Sequence, residues 1–414
     1  MQDDMVPRFL NRNSKLLIVL LAFFVVVLWL YQINIHQRLM ISNTIYSIVI
    51  DAGSTGSRLH VFKLNHDDSE DKKFDIELIN EELLVKVKPG LSAFGPNPEK
   101  AVDSIEPLLK RALEVIPATY HRLTRLSLKA TAGLRLISDD LANKILKNIK
   151  ELFMRYPFKI KGDDDVSILD GRYEGIYSWL TLNYALNSFS NSIETSVCSL
   201  DMGGGSTQVT FIPSGKVSSN EDLVKIQIDR SEYEIYAKSF LGFGLMSARL
   251  NILKKDPLNI DPTKNELFSS CFQNSSKVTW SQQGVDYIIL GKNEQINNSY
   301  ANCYKNVVKT LENNFDAPSD LMFKTKAGGR IDVASIKKKA MTICNTPDSS
   351  ENKEVDVKDK DYAFLCMDLT FIHAILSHGY GLPDHKEIHV SNQVNGMEIS
   401  WALGAAFHML NEND

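Results

Sequence analysis

The sequence predicts an α/β protein of two related lobes that face each other across a cleft. Three observations carry that prediction. Strand-like apolar runs alternate with stretches of helical spacing. A strand that ends in aspartate and opens into a Gly/Ser-rich turn occurs twice, as "IVIDAGSTGSRLHVF" at 48–62 and "SLDMGGGSTQVTF" at 199–211, which reads as an internal duplication. The chain has 414 residues, ample for more than one core.

In chain order, the first element is not globular. Leu16 to Tyr31 carries no charge and Ile33 and Ile35 extend it, so a helix from Leu16 to Ile35 spans about 30 Å, enough to cross a bilayer. Arg8, Arg12 and Lys15 precede it and only Arg38 follows closely, which keeps the N-terminus cytosolic. Tyr31 to Ile41 holds no small residue for signal-peptide cleavage. Residues 1–43 are therefore expected to form a cytosolic tail, a signal anchor (16–35) and a stem. That makes a single-pass type II membrane protein with its bulk in the lumen or outside, secretion after later cleavage staying open.

Ser47–Ile50 and Leu59–Phe62 read as two strands joined by the first Gly/Ser turn, with polar 65–73 as a hairpin tip. Pro98–Ile116 has helical spacing and stops at Pro117. Leu126–Ala130 reads as a buried strand, Asp139–Tyr156 as a helix, Val166–Leu169 as a strand and Gly175–Leu186 as a mostly apolar helix. The second Asp hairpin follows, and 312–361 read as charge-rich and irregular, with "EVDVKDKD" at 354–361 an exposed loop. The expected division is 44–165 plus 390–414 for lobe I and 166–389 for lobe II.

Composition excludes some functions. Apolar residues make up 43% and charged residues 23%, and the net charge of −5 is spread along the chain, which argues against a nucleic-acid binder. Of five cysteines, four (Cys271, Cys303, Cys344, Cys366) lie in the second half, and Cys198 sits in the apolar run before Asp201. Several pairings are open. The sequence-local one, Cys271–Cys303 and Cys344–Cys366 with Cys198 free, needs the least chain rearrangement. No spacing suggests zinc. Sequons at Asn274 and Asn297, with the anchor and the cysteines, point to an oxidising lumen.

The repeated hairpin has a chemical reading. A glycine-rich turn lets backbone N–H groups approach an anion, and Ser and Thr hydroxyls add donors. The cradles are Ser54, Thr55, Gly56 and Ser57 in the first copy, and Gly203, Gly204, Gly205, Ser206 and Thr207 in the second. A carboxylate beside a phosphate is repulsive unless a cation intervenes, so Asp51 and Asp201 suit a divalent ion, Mg²⁺ or Ca²⁺. One such turn alone is more often just a turn, but two copies after apolar strands read as a two-sided phosphate clamp. Glu174 in "ILDGRYEGIYSWLTLNYAL" lies between Gly171 and a helix start, where from position alone a carboxylate chiefly suits the helix dipole. Thr131 in "KATAGLRLI" can offer a hydroxyl or simply end a strand. Arg135 can pair with phosphate or make a structural salt bridge. His373 and His378 lack metal-spaced partners and read as core or surface histidines.

These segments in this order, with "NGMEISWALGAAF" at 395–407, resemble the apyrase family, the ecto-nucleoside triphosphate diphosphohydrolases. The resemblance implies the two-lobed actin, Hsp70 and sugar-kinase architecture, which is ribonuclease H-like. It implies Glu174 as the base that activates water, Asp51 and Asp201 as acids holding a hydrated metal, and Thr131 and Gln208 as residues placing the nucleophilic water and the metal's waters. The implied reaction is hydrolysis of a terminal phosphoanhydride without a phosphoenzyme. Lacking a second membrane helix before Asp414, the chain looks like the soluble or Golgi-type branch. Those members prefer nucleoside diphosphates, UDP and GDP. One departure is that, past Tyr304, the interval to Cys344 holds only Phe315 and Phe323, where that branch carries an aromatic-rich segment. Two alternatives are a kinase of related fold and a non-catalytic nucleotide-binding membrane glycoprotein. The preferred base and the oligomeric state are not readable from the sequence.

Overall fold

Alternation along the first strand sorts its side chains onto two cores. Ile48, Ile50 and Ala52 enter one cluster, while Val49 enters another on the opposite face. The computed structural model describes residues 20–32, 43–66, 76–190, 195–213, 215, 220–228, 231–259, 261, 263–273, 276–293, 299–312, 315, 329–346 and 360–411. The hairpin tip expected near 65–73, most of 354–361 and the sequons at Asn274 and Asn297 fall largely or wholly outside these residues.

The first sheet has the order β3-β2-β1-β4-β5. It is built from β1 (Thr44–Ala52), β2 (Ser57–His66), β3 (Ile76–Val87), β4 (Arg125–Ala130) and β5 (Val166–Ile168). Strands β1, β2 and β3 form an antiparallel meander, whereas β4 and β5 run parallel to β1. Helices α2 (Ala101–Val115) and α4 (Asp139–Phe153) cover one face through Ile105, Leu109, Ile145 and Ile149. The short α3 (Ala132–Arg135) follows β4 directly. Because β5 pairs with β4, it belongs to the first sheet.

The second sheet, β6-β7-β9-β8, repeats the Asp hairpin in β6 (Ser199–Met202) and β7 (Ser206–Phe211). Strands β8 (Leu223–Ile228) and β9 (Ser231–Leu241) complete it. Beyond it, α6 (Leu245–Lys255), β10 (Glu266–Gln273), β11 (Lys277–Gln282), β12 (Val285–Asn293), α7 (Ser299–Leu311), β13 (Gly329–Asp332), α8 (Val333–Asn345), α9 (Lys360–Ala363), α10 (Leu365–Ala374) and β14 (Glu387–Val390) follow. Their apolar faces pack into one large core with Val209, Tyr236 and Phe240 of the second sheet. The region expected to be irregular thus contains β13 and α8. Asp332 caps α8 by accepting from the Ser335 N–H, and Val333, Ile336, Ala340 and Cys344 form a buried stripe that the run Lys337–Lys339 hides from a charge count.

Two helices join the sheets. α5 (Gly171–Ala185) and α11 (Trp401–Asn411) share a core with Val49 and Phe62 of the first sheet and Ala237 of the second. A two-residue hairpin pair, β15 (Gln393–Val394) and β16 (Met397–Glu398), precedes α11. Beyond the exposed Arg172 and Tyr173, α5 is largely buried, which explains a mostly apolar sequence. It begins at Gly171 rather than near Gly175, because the Asp170 carboxylate accepts from the Arg172 N–H at 2.8 Å and caps it. At the N-terminus, α1 (20–32) exposes Phe23, Phe24 and Trp29. Among the described residues no helix is long and apolar enough to cross a membrane, and 16–19 and 33–35 of the expected anchor lie outside them.

Disulfides Cys271–Cys303 and Cys344–Cys366 form as expected, tying β10 to α7 and α8 to α10, and Cys198 is free. Cys198 stands just before β6, half-buried, rather than within a core strand. His373 is buried with Nδ1 2.9 Å from the Tyr300 hydroxyl, and His378 is exposed. The bridges close segments of 32 and 22 residues, and removing either by paired Cys→Ser is expected to cost about 3 to 4 kcal/mol of stability. Urea melts of each double variant against the parent check this. A loss below about 1 kcal/mol for both contradicts the chain-entropy account.

Candidate active site

In each Asp hairpin the acid ends one strand and faces a defined partner on the next. Asp51 stands opposite Arg58 and Ala52 opposite Ser57. Asp201 stands opposite Gln208 and Met202 opposite Thr207. The duplication therefore gives two equivalent acids with different cross-strand neighbours.

The two turns touch. A Cβ on Gly204 would lie 2.5 Å from Ser54 Oγ and 2.8 Å from Thr55 Cγ2, so only glycine allows the loops to meet. The second loop is held from behind by α6, where the Leu245 N–H donates to Gly203 O and the Met246 N–H to Gly204 O, both at 2.9 Å. In a planar trans peptide the N–H points opposite to its carbonyl, so the Gly204 and Gly205 N–H groups are turned away from α6. This side carries the donors an anion needs.

Not every expected cradle residue faces the cleft. Ser54 and Gly56 are partly accessible, Thr55 and Gly203 are exposed, and Gly204 is half-buried. Thr207 is buried and donates its hydroxyl to Phe243 O at 2.7 Å, so it holds the loop to the end of β9. Ser206 is buried too, its Oγ accepting from Gln208 Nε2 at 2.7 Å. Ser57 is fully buried. The expectation was that Ser and Thr hydroxyls add donors to the backbone N–H groups along both loops. Strand alternation instead turns some of them inward, and the backbone and Ser54–Thr55 remain.

Glu174 lies in the first turn of α5, buried. Its Oε2 accepts from Arg135 Nη2 and, at 3.2 Å, from Gln208 Nε2. Burial pushes the carboxyl up to about 8, with the Arg135 charge pulling down and the charges of Asp201 and Asp51 pushing further up. Arg135 thus makes the salt bridge the sequence left open, with the candidate base itself. Its guanidinium occupies the space where a Cβ on Gly171 would come within 2.3 Å of Nη1. Thr131 is buried at the start of α3, its N–H donating to Ala52 O at 3.1 Å, and its hydroxyl does not cap that helix.

Burial also raises Asp51, opposed by Arg58 and by hydrogen bonds from Arg58 (Nη1 to Oδ2, 2.9 Å) and the Trp401 indole. Asp201 is raised by desolvation and by the Asp51 charge, and lowered by the Ser178 hydroxyl, which donates to Oδ2 at 2.6 Å, and by Arg58. Asp51, Asp201, Glu174 and Gln208 are therefore brought together. Arg58, Ser178 and Trp401 join them without having been singled out in the sequence. Ser178 was findable, since it lies one helical turn beyond Glu174 on the same face. Arg58 was findable as the residue at the hairpin position that Gln208 holds in the second copy.

Comparison with known proteins adds the family. The fold matches a crystal structure of nucleoside triphosphate hydrolases from Neospora caninum with a TM-score of 0.59 at 13% identity, covering 91% of this chain and 95% of that one. The chain is 34% identical to ectonucleoside triphosphate diphosphohydrolase 5 of Gallus gallus and 33% to nucleoside diphosphate phosphatase ENTPD5 of Homo sapiens. Each match covers 89% of this chain and 88% of the relative. It is 34% identical to nucleoside-diphosphatase uda-1 of Caenorhabditis elegans, over 89% of this chain and 82% of that protein. Residues 38–323 and 320–414 match the GDA1/CD39 (nucleoside phosphatase) family, and the chain belongs to it.

Proposed function

We propose that this protein is a divalent-metal-dependent nucleoside diphosphatase of the secretory pathway, which releases the terminal phosphate of UDP and GDP. The observation that carries the reading is the buried Glu174, held by Arg135 and Gln208 between two Asp hairpins whose loops touch. The names of the relatives from Homo sapiens and Caenorhabditis elegans, both nucleoside diphosphatases, support the choice of diphosphate.

The donor set fits a hydrated hard cation such as Mg²⁺ or Ca²⁺. Asp51 and Asp201 are oxygen donors, and Gln208 Oε1 is a buried acceptor that no protein donor satisfies. Among the described residues no group of three or more His, Cys, Asp or Glu is placed to hold a metal ion. Asp51, Asp201 and Gln208 would hold the ion, and when bound it offsets the charge of the diphosphate and of both acids.

The chain's own residues supply the rest. The glycine loops orient the terminal phosphate through backbone N–H groups, and Thr131 and Gln208 position water beside it. Glu174 Oε takes the proton as water attacks in line, and the nucleoside monophosphate leaves. Positioning and charge neutralisation dominate such phosphoryl transfers. The bridges and sequons support a lumenal site, and the apolar stretch 16–35 supports one membrane anchor.

The deciding experiment is phosphate release from UDP, GDP, ADP and ATP with Mg²⁺ or Ca²⁺. UDP and GDP are expected to turn over well above ATP, and ADP little. ATP turned over as fast as UDP contradicts the diphosphatase reading, and UDP binding without turnover supports the non-catalytic alternative. Glu174→Gln is expected to lower turnover about 10²- to 10⁴-fold with UDP affinity and melting temperature nearly unchanged. Well-folded variant protein with near-normal turnover would mean that another residue is the base. Asp201→Asn is expected instead to raise the metal concentration giving half-maximal activity.

A pH prediction follows from the burial of Glu174. The base works ionised, so activity falls as pH drops through its pKa. The acid limb of kcat/KM is expected near about 8 at limiting metal and lower at saturating metal, because a cation between Asp51 and Asp201 cancels their upward push. A limb that stays in the ordinary carboxylate range at every metal concentration contradicts this assignment.

A further inference from the structure

The hairpin duplication places Arg58 where the second copy has Gln208. Gln208 is turned to Glu174, the end of the cleft where water attacks. Arg58 is turned to Asp51, which its Nη1 meets at 2.9 Å. Its charge reaches Asp51 and, from the other hairpin, Asp201, whereas the charges that act most on Glu174 are those of Arg135, Asp201 and Asp51. Arg58 therefore lies against Asp51, as Gln208 lies against Glu174.

Its chemistry is not exhausted there. The side chain is 39% exposed, while the Asp51 side chain it meets is 6% exposed, so part of the guanidinium stays open to solvent. Two neighbouring cations are committed elsewhere. Arg135 is buried on Glu174, and Lys86, opposite Arg58 on β3, pairs with Glu398 at 2.9 Å. The planar guanidinium fork matches phosphate oxygens, and a cation held at Asp51 would compete with Arg58 for that carboxylate.

Resting on the proposed diphosphatase reading, we infer that Arg58 binds the non-transferred phosphate of a nucleoside diphosphate, the phosphate that leaves with the nucleoside. This residue marks the leaving end of the cleft as Glu174 marks the attacking end. It compensates the charge left on the monophosphate as the anhydride bond breaks.

The test uses the full-length chain with saturating Mg²⁺. Phosphate release from UDP by the parent protein comes first, and its absence refutes the diphosphatase reading itself. Calorimetric binding of UMP to parent and variant still judges Arg58 in that case. In Arg58→Ala the KM for UDP and the inhibition constant of UMP are expected to rise together by about tenfold to a hundredfold, the range for a lost charge-assisted hydrogen bond. Inhibition by inorganic phosphate should change less than about twofold. Arg58→Lys, which keeps the charge and guards against a folding failure of the alanine variant, should recover part of the UMP affinity. Two results overturn the inference. One is a shift confined to the half-saturating Mg²⁺ concentration with UMP inhibition intact, which leaves Arg58 as a counter-ion of Asp51. The other is weakening of phosphate inhibition as large as that of UMP, which puts Arg58 on the transferred phosphate.

Discussion

Asp51, Asp201 and Glu174 are carboxylates held within range of one another's charge in a largely dehydrated cleft, and that mutual repulsion is the constraint on which the rest of the site depends. Left alone, such a cluster would take up protons or push the hairpins apart. Each acid instead has a dedicated partner: Arg58 and Trp401 on Asp51, Ser178 on Asp201, Arg135 and Gln208 on Glu174. The partners come from different elements, so satisfying the acids also fixes the geometry of those elements. Two arginines cannot neutralise three carboxylates and a diphosphate together. On the proposed function, that deficit is the electrostatic reason for a cation to enter along with the substrate.

Helix α5 transmits this constraint to the fold. Glu174, Ser178 and Thr181 follow at helical spacing on one face. The first meets Arg135 of α3, the second Asp201 of β6, and the third accepts from the Gly404 N–H of α11 at 3.0 Å. One helix thus reads the position of the first lobe, the second lobe and the C-terminal segment. Beyond the exposed Arg172 and Tyr173 it packs with residues of both sheets, which holds it in place. The glycines at the loop contact serve the same end, because any side chain at 204 would wedge the hairpins apart.

The sequence made the hairpins, the disulfide pairing and the cluster of Asp51, Asp201 and Glu174 legible, because each depends on a local pattern: a strand ending in an acid, a short cysteine interval, a signature segment. It hid what depends on pairing across the chain. The place of β5 is set by its edge pairing with β4, which three residues cannot announce. Helix α8 carries its apolar stripe behind three consecutive lysines, so charge density misread it as a loop. Thr207 looks like a phosphate ligand by composition, but strand alternation turns it toward Phe243. Arg135 offered two readings, and only the approach of α5 decided between them.

Duplication gives the cleft two equivalent acids, and the same symmetry would leave it with no direction. Direction comes from the residues opposite those acids. A neutral amide at Gln208 can donate to Glu174 and still accept from water without lowering the base as a cation would. A guanidinium at Arg58 would be wrong there, since a full charge beside the base weakens its pull on a proton, and Arg135 already supplies the one cation that keeps Glu174 ionisable. At the Asp51 side no proton has to move, so a permanent cation carries no such penalty and suits a phosphate that gains charge. Exchanging the two residues would place charge where a proton must be taken and remove it where charge develops. On the proposed function, the broken symmetry of the repeat, more than either hairpin alone, therefore orients a diphosphate in the cleft.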